Sequence, residues 1–174
     1  ILSSPKIGAS FVDYLVTLEK DGGNKLGYGE EGVQTFLYVI EGKVKAAADK
    51  EEFELNEGGY LYCPPGVKMY FENDNGDSES KLFLYKRRYQ EVEGHEPHVV
   101  SGNANDIPFE AYEGMEDVGV KDFLPANDLG FDMNFHILSF EPGASHGYIE
   151  THFQEHGAYI LSGQGMYNLD NEWY

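Results

Sequence analysis

Apolar and polar residues alternate with a period of two through most of the chain, and no stretch shows the 3.6-residue period of an amphipathic helix. Phe11 to Leu18 (FVDYLVTL) is rich in β-branched and aromatic residues and predicts a strand. Asp21 to Asn24 (DGGN) predicts a turn. Thr35 to Gly42 predicts a second strand closed by glycine, with VKAAA as its hairpin return. Glu51 to Gly66 predicts a short strand, a glycine turn, another strand and a proline stop. Lys68 to Asp77 predicts a strand that runs into a polar loop. Lys81 to Val92 predicts a long strand, with Leu82, Leu84 and Lys86 on one face and Phe83 and Tyr85 on the other. Glu93 to Pro108 is polar and turn-rich and reads as a connection. Further strands are expected at Val118–Phe123, Met133–Phe140, Tyr148–Phe153, Ala158–Gly163 and Gly165–Leu169. Many short strands, spaced roughly 8–12 residues apart, point to an all-β sandwich or barrel.

The two halves repeat one another. Thr35 stands seven positions before Gly42 and His156 seven before Gly163, each with an apolar strand between and a hairpin return after. SFVDYLVTLEKDGGN likewise parallels MNFHILSFEPGASHG. A tandem β-domain explains this, as does convergence of two hairpins on common turn chemistry. The chain opens without Met and stops at NEWY after few strands of the second half, so it reads as part of a longer chain.

Charge and cysteine narrow the function classes. Twelve Lys and Arg against 31 Asp and Glu give a net charge of −19, which disfavours a nucleic-acid or membrane-surface role. A single Cys excludes an intrachain disulfide framework and suits a reducing compartment, taken as the cytoplasm.

The sharpest local pattern is Glu150-x-His152-xxx-His156. On a strand, positions 150 and 152 project from one face, and a turn at Gln154–Glu155 brings His156 back across from them. One carboxylate and two imidazoles suit a divalent ion such as Mn²⁺, Fe²⁺, Co²⁺, Ni²⁺ or Zn²⁺, with Ile149, Phe153 and Ile160 expected as a dry surround. A solvent-facing polar loop and a metal-free acid–base pair are the competing readings.

In full, the spacing is Gly143-x6-Glu150-x-His152-xxx-His156-x6-Gly163, which resembles the first motif of the cupin family, with Glu150 in place of the first His and His156 in place of the Glu. Gly58-x5-Pro64-x-Gly66-xx-Met69-xxx-Asn73 resembles the second cupin motif, with Met69 where a metal-binding His would stand. Thr35 occupies the position corresponding to His156, and no histidine precedes His95, so the first half looks like a cupin shell without a metal. With HFQEHGAYILSGQGMYNLDNEWY, GYLYCPPG and FLYKRRY, essentially the whole chain resembles the bacterial (S)-ureidoglycine aminohydrolase family. The resemblance implies an all-β pair of cupin barrels (double-stranded β-helix, jelly-roll): residues 1–92 without metal, 93–115 as connection, and 116–174 as the first part of a metal-binding barrel, truncated here. It also implies Mn²⁺, or another divalent ion, on Glu150, His152 and His156, with a fourth ligand, a Gln, beyond Tyr174. Glu150 and Tyr167 are implied as catalytic and substrate-contacting. The implied reaction converts (S)-ureidoglycine and water to (S)-ureidoglycolate and ammonia in allantoin degradation, in a homo-oligomer. Glu150 takes up a proton if loosely held, and only sets charge if tightly held. Another metal-dependent cupin enzyme, an isomerase or dioxygenase, and a non-catalytic small-molecule-binding cupin are the alternatives.

Other residues carry less. Cys63 reads as a buried thiol, Lys86–Arg88 as partners for the acidic surface, His95 and His98 as surface or interface residues, His146 as a loop histidine, and His136 as a core or lumen residue. Asp21–Gly32 is not a phosphate loop, because it lacks GxxxxGK[ST] and no helix follows.

Overall fold

The computed structural model describes residues Ile1 to Tyr174. Five antiparallel strands form the sheet on which the rest is built: β1 (Phe11–Leu18), β3 (Val33–Glu41), β6 (Gly59–Cys63), β8 (Ser80–Arg88) and β9 (Val100–Asn103), in the order β1-β8-β3-β6-β9. A second sheet, in the order β2-β7-β4-β5, comprises β2 (Gly23–Tyr28), β4 (Lys43–Ala48), β5 (Glu51–Asn56) and β7 (Met69–Asn73). Strand β10 (Glu110–Tyr112), β11 (Met115–Asp122) and β12 (His136–Phe140) make a three-stranded sheet, and β13 (Asn168–Leu169) pairs with β14 (Glu172–Trp173). The result is all-β, with no helix long and apolar enough to cross a membrane.

Strict alternation gives the five-stranded sheet two unlike faces. Leu37 and Val39 of β3, Leu61 and Cys63 of β6, and Leu82 and Leu84 of β8 face the second sheet. There they meet Val44, Ala46, Ala48, Leu55, Met69 and Phe71 in one aliphatic core. The intervening residues, Phe36, Tyr60, Tyr62 and Tyr85, form an aromatic outer face. Register enforces the separation: Leu37 lies opposite both Leu61 and Leu84, and Phe36 opposite both Tyr62 and Tyr85. Covered on both sides, β6 is buried along its whole length.

What covers the aromatic face comes from later in the chain. Phe123, Leu124, Phe131, Met133, Phe135 and Ile137 pack onto it. Phe36 and Phe135 stack at 3.8 Å, Tyr60 and Phe123 at 4.7 Å, and Tyr85 meets Phe135 edge-on at 4.9 Å. The backbone N–H of Phe123 donates to the carbonyl of Phe135 (2.8 Å), which holds the two rings at one level.

Several sequence expectations are corrected. Asp21–Asn24 is not wholly a turn, since β2 begins at Gly23 and pairs with β7. The stretch from Glu93 to Pro108 includes β9, which extends the main sheet through β6. No strand forms at Tyr148–Phe153 or Ala158–Gly163, and Gly165–Leu169 is reduced to Asn168–Leu169. A strand persists only where a neighbouring backbone takes up its N–H and C=O groups. Residues 148–163 have apolar strand composition but no ladder partner in this chain.

The inner turns are constrained by close approach. Gly42 closes the β3–β4 hairpin at φ +90°, and a Cβ there would lie 2.5 Å from Ser80 Oγ. That hydroxyl donates to the Lys43 carbonyl (2.9 Å) and accepts from the Lys43 N–H (3.2 Å).

Phe36 is fully buried, under the rings of Phe123 and Phe135 from the later part of the chain. Phe36→Ala should therefore destabilise the protein by about 3–5 kcal/mol, read as a fall in the midpoint of denaturant unfolding. A loss below about 1 kcal/mol would mean that the aromatic seam does not carry the packing assigned to it.

Candidate metal centre

Glu150, His152 and His156 come together although the strand expected to carry them does not form. One ligand atom from each lies within 4.8 Å of the other two. His152 Nε2 stands 3.8 Å from Glu150 Oε2, and the two histidine rings are 4.6 Å apart. About a third of each side chain stays open, 32% for Glu150 and 34% for His152. Ile149, Phe153 and Ile160 do not form the expected dry surround: they are 94%, 105% and 58% exposed.

Hydrogen bonds orient these donors. His152 Nδ1 lies 2.9 Å from the carbonyl of Gln154. A carbonyl only accepts, so Nδ1 carries the hydrogen and neutral His152 presents the Nε2 lone pair toward Glu150. His146 repeats the arrangement, with Nδ1 on the Tyr148 carbonyl (3.1 Å) and Nε2 3.5 Å from Glu150 Oε1. Two imidazole Nε2 atoms thus face one carboxylate, a donor set that suits a divalent cation. Mixed imidazole and carboxylate ligation suits Mn²⁺, Fe²⁺, Co²⁺, Ni²⁺ or Zn²⁺.

The sequence reading missed some of the surroundings. Tyr112, at the end of β10 and inside the stretch taken as connection, donates its hydroxyl to Glu150 Oε1 (3.2 Å). Loss of solvent raises the Tyr112 pKa, and the Glu150 charge adds to the rise, so the ring stays a donor. Tyr148 hydrogen-bonds to Glu113 and raises its own pKa by that bond. His146 is more than a loop residue, because it touches Glu150. His136 keeps an exposed edge, yet removal of its ring from bulk water still lowers its pKa; Asp122, His156 and Glu150 stand near it.

Tyr167 lies just before β13. Its backbone exchanges hydrogen bonds with Tyr174 (3.0 and 2.8 Å), and its side chain makes no hydrogen bond or ring contact to the three ligands. In the first half, Met69, Thr35 and Cys63 are all fully buried in or beside the aliphatic core. Burial pushes the Cys63 thiol up to about 12. Lys86 meets Glu30 at 3.7 Å and Arg87 donates to the Asp132 carbonyl at 3.1 Å, so this basic cluster is used internally. His98 packs edge-on against Phe131 at 5.1 Å.

Comparison with known proteins places these features. A family model described as EutQ-like cupin domain matches residues 7–89. The chain is 66% identical over 173 residues to the (S)-ureidoglycine aminohydrolase of Escherichia coli (strain K12), covering 99% of this chain and 66% of that protein. It is 31% identical over 174 residues to a probable (S)-ureidoglycine aminohydrolase of Oryza sativa subsp. japonica, covering 99% of this chain and 54% of that protein. The crystal structure of protein Ylba from E. coli superposes with a TM-score of 0.88 at 62% identity, covering 99% of this chain and 67% of that one. The chain thus spans about two thirds of the bacterial relative and about half of the plant one.

Two outcomes are expected. His152→Ala removes one of the two imidazole donors of the triad, so bound metal should fall well below one ion per chain by elemental analysis; full occupancy would overturn the ligand assignment. Cys63 should resist a thiol reagent at about pH 8 in the native protein and react once denaturant is added. Rapid native labelling would contradict its burial.

Proposed function

We propose that this chain, which belongs to the (S)-ureidoglycine aminohydrolase family of cupins, carries the metal-binding part of an enzyme that converts (S)-ureidoglycine and water to (S)-ureidoglycolate and ammonia. The observation that carries this reading is the convergence of Glu150, His152 and His156 in a chain 66% identical to the E. coli enzyme. We take residues 1–92 as a cupin unit without metal, 93–115 as a connection, and 116–174 as the first part of a second cupin unit. The internal repeat and the position of the ligand cluster after residue 116 support this division. Mn²⁺ is the proposed ion, a cytoplasmic homo-oligomer the proposed state, and a Gln beyond Tyr174 the proposed fourth ligand.

The overall change breaks the bond from the chiral carbon to its amino nitrogen and forms one to the oxygen of water. The proton that the water loses is gained by the amino group, which departs as ammonia. A divalent ion on Glu150, His152 and His156 would supply Lewis acidity and an anchor for a substrate carboxylate or heteroatom. Tyr112 holds Glu150 Oε1 by a hydrogen bond, so the other carboxylate oxygen, Oε2, is the one turned to His152. We take Glu150, loosely held by the ion, as the group that receives the proton of the attacking water and returns it to the departing amino group. His152 stays in one tautomer through Gln154 and therefore cannot compete for the same proton at Nδ1. Tyr167 is kept as a proposed substrate contact by resemblance to the family.

Glu150→Gln keeps the volume and an oxygen donor but removes the charge and the base. Ammonia release from fresh ureidoglycine, divided by metal bound, should fall by about 10²-fold or more, roughly 2.7 kcal/mol in the barrier. A rate per metal within about threefold of wild type would remove the proton-transfer role and leave Glu150 as ligand only. Absence of ammonia release from the metal-loaded wild-type enzyme would overturn the functional reading itself.

A further inference from the structure

Residues 155–159 lie against the first half of the protein, and their contacts fall on alternate residues. Glu155 Oε2 accepts from both the backbone N–H (2.7 Å) and the hydroxyl (3.0 Å) of Ser10, immediately before β1. At Gly157 a side chain would be crowded: a Cβ would lie 3.2 Å from Phe11 Cε2 and Cζ and 3.2 Å from Asp13 Oδ2, both residues of β1. The Tyr159 ring stands 6.4 Å from Phe83 of β8, tilted by 43°. His156, between the first two of these contacts, joins Glu150 and His152 instead.

We propose that Glu155, Gly157 and Ser10 are positioning residues for the metal centre, and that the five-stranded sheet of the first half seats the segment that carries His156. The inference rests on the metal-binding reading of Glu150, His152 and His156. Its physical basis is ordering before binding. A ligand segment already fixed on β1 loses little further conformational freedom when the ion arrives. Two donors on one oxygen make the Ser10–Glu155 contact directional. The missing side chain at position 157 leaves room for the segment beside the Phe11 and Asp13 side chains, next to that contact. The half of the chain that carries no ligand thereby acquires a part in metal capture.

The test uses the intact protein and four forms: wild type, Glu155→Ala, Glu155→Gln and Gly157→Val. Dissociation constants for Mn²⁺ and Zn²⁺ are measured by chelator competition, and hydrogen exchange of residues 150–160 is followed in the metal-free state. Glu155→Ala and Gly157→Val should each weaken metal binding by about tenfold or more and speed exchange across the segment. Glu155→Gln keeps an acceptor oxygen for Ser10 and should remain within about threefold of wild type. The proposal is overturned if Glu155→Ala and Gly157→Val bind both ions within about twofold of wild type, or if Glu155→Gln is as weak as Glu155→Ala, which would assign the effect to charge. Wild-type protein that binds neither ion would overturn the metal reading together with this inference. Wild-type binding with unshifted variants would overturn this inference alone.

Discussion

The structure depends on an apolar contact between parts of the chain far apart in sequence: the aromatic face of the five-stranded sheet against Phe123, Phe131 and Phe135. Without those rings the sheet would present Phe36, Tyr60, Tyr62 and Tyr85 to water, an apolar patch of the kind monomers seldom leave open. With them, the chain after residue 122 is drawn back across the first half, and β12 leaves the seam close to where the ligand segment begins. Area and ring geometry together make this contact specific, because offset and edge-on rings tolerate little displacement.

A polar device within the seam sets its register. The Asp132 carboxylate accepts from the Gln34 side chain and from the Gln90 backbone (2.8 Å), and its carbonyl accepts from Arg87 (3.1 Å). Gln34 is fully buried, and its carbonyl oxygen takes the Tyr62 hydroxyl at 3.0 Å. An amide in such a place would be costly if either end lacked a partner. Here both ends are satisfied, and a slide of the 123–135 segment would break several bonds at once.

How far the sequence reveals this depends on where the partner lies. Phe11–Leu18 was legible as a strand to the residue, because period-two alternation and composition act locally. The opposed faces of Phe83 and Tyr85 and of Leu82 and Leu84 were legible for the same reason. That the aromatic face would be covered was not, since Phe135 belongs to a segment whose own pattern says nothing of Phe36. The convergence of Glu150, His152 and His156 was legible because all three residues fall within positions 150–156. Tyr112 was not, with its acceptor 38 residues away, and neither was Glu155, whose donor Ser10 is 145 residues away. The strands expected at 148–153 and 158–163 failed for the converse reason: composition supplies propensity, and a ladder supplies the strand.

The compactness of the triad in sequence has a thermodynamic consequence. Ligands separated by two and four positions need little loop closure to meet, so an unfolded chain retains the same three donors within reach of one another. An ion with appreciable affinity for both folded and unfolded chains shifts the balance between them only by the difference. On the metal-binding reading, an ion held by residues 150–156 would stabilise the fold by less than its own affinity implies. The excess is set by whatever the folded state adds: the Tyr112 hydroxyl, the fixed tautomer of His152, and the surface on which His156 is laid.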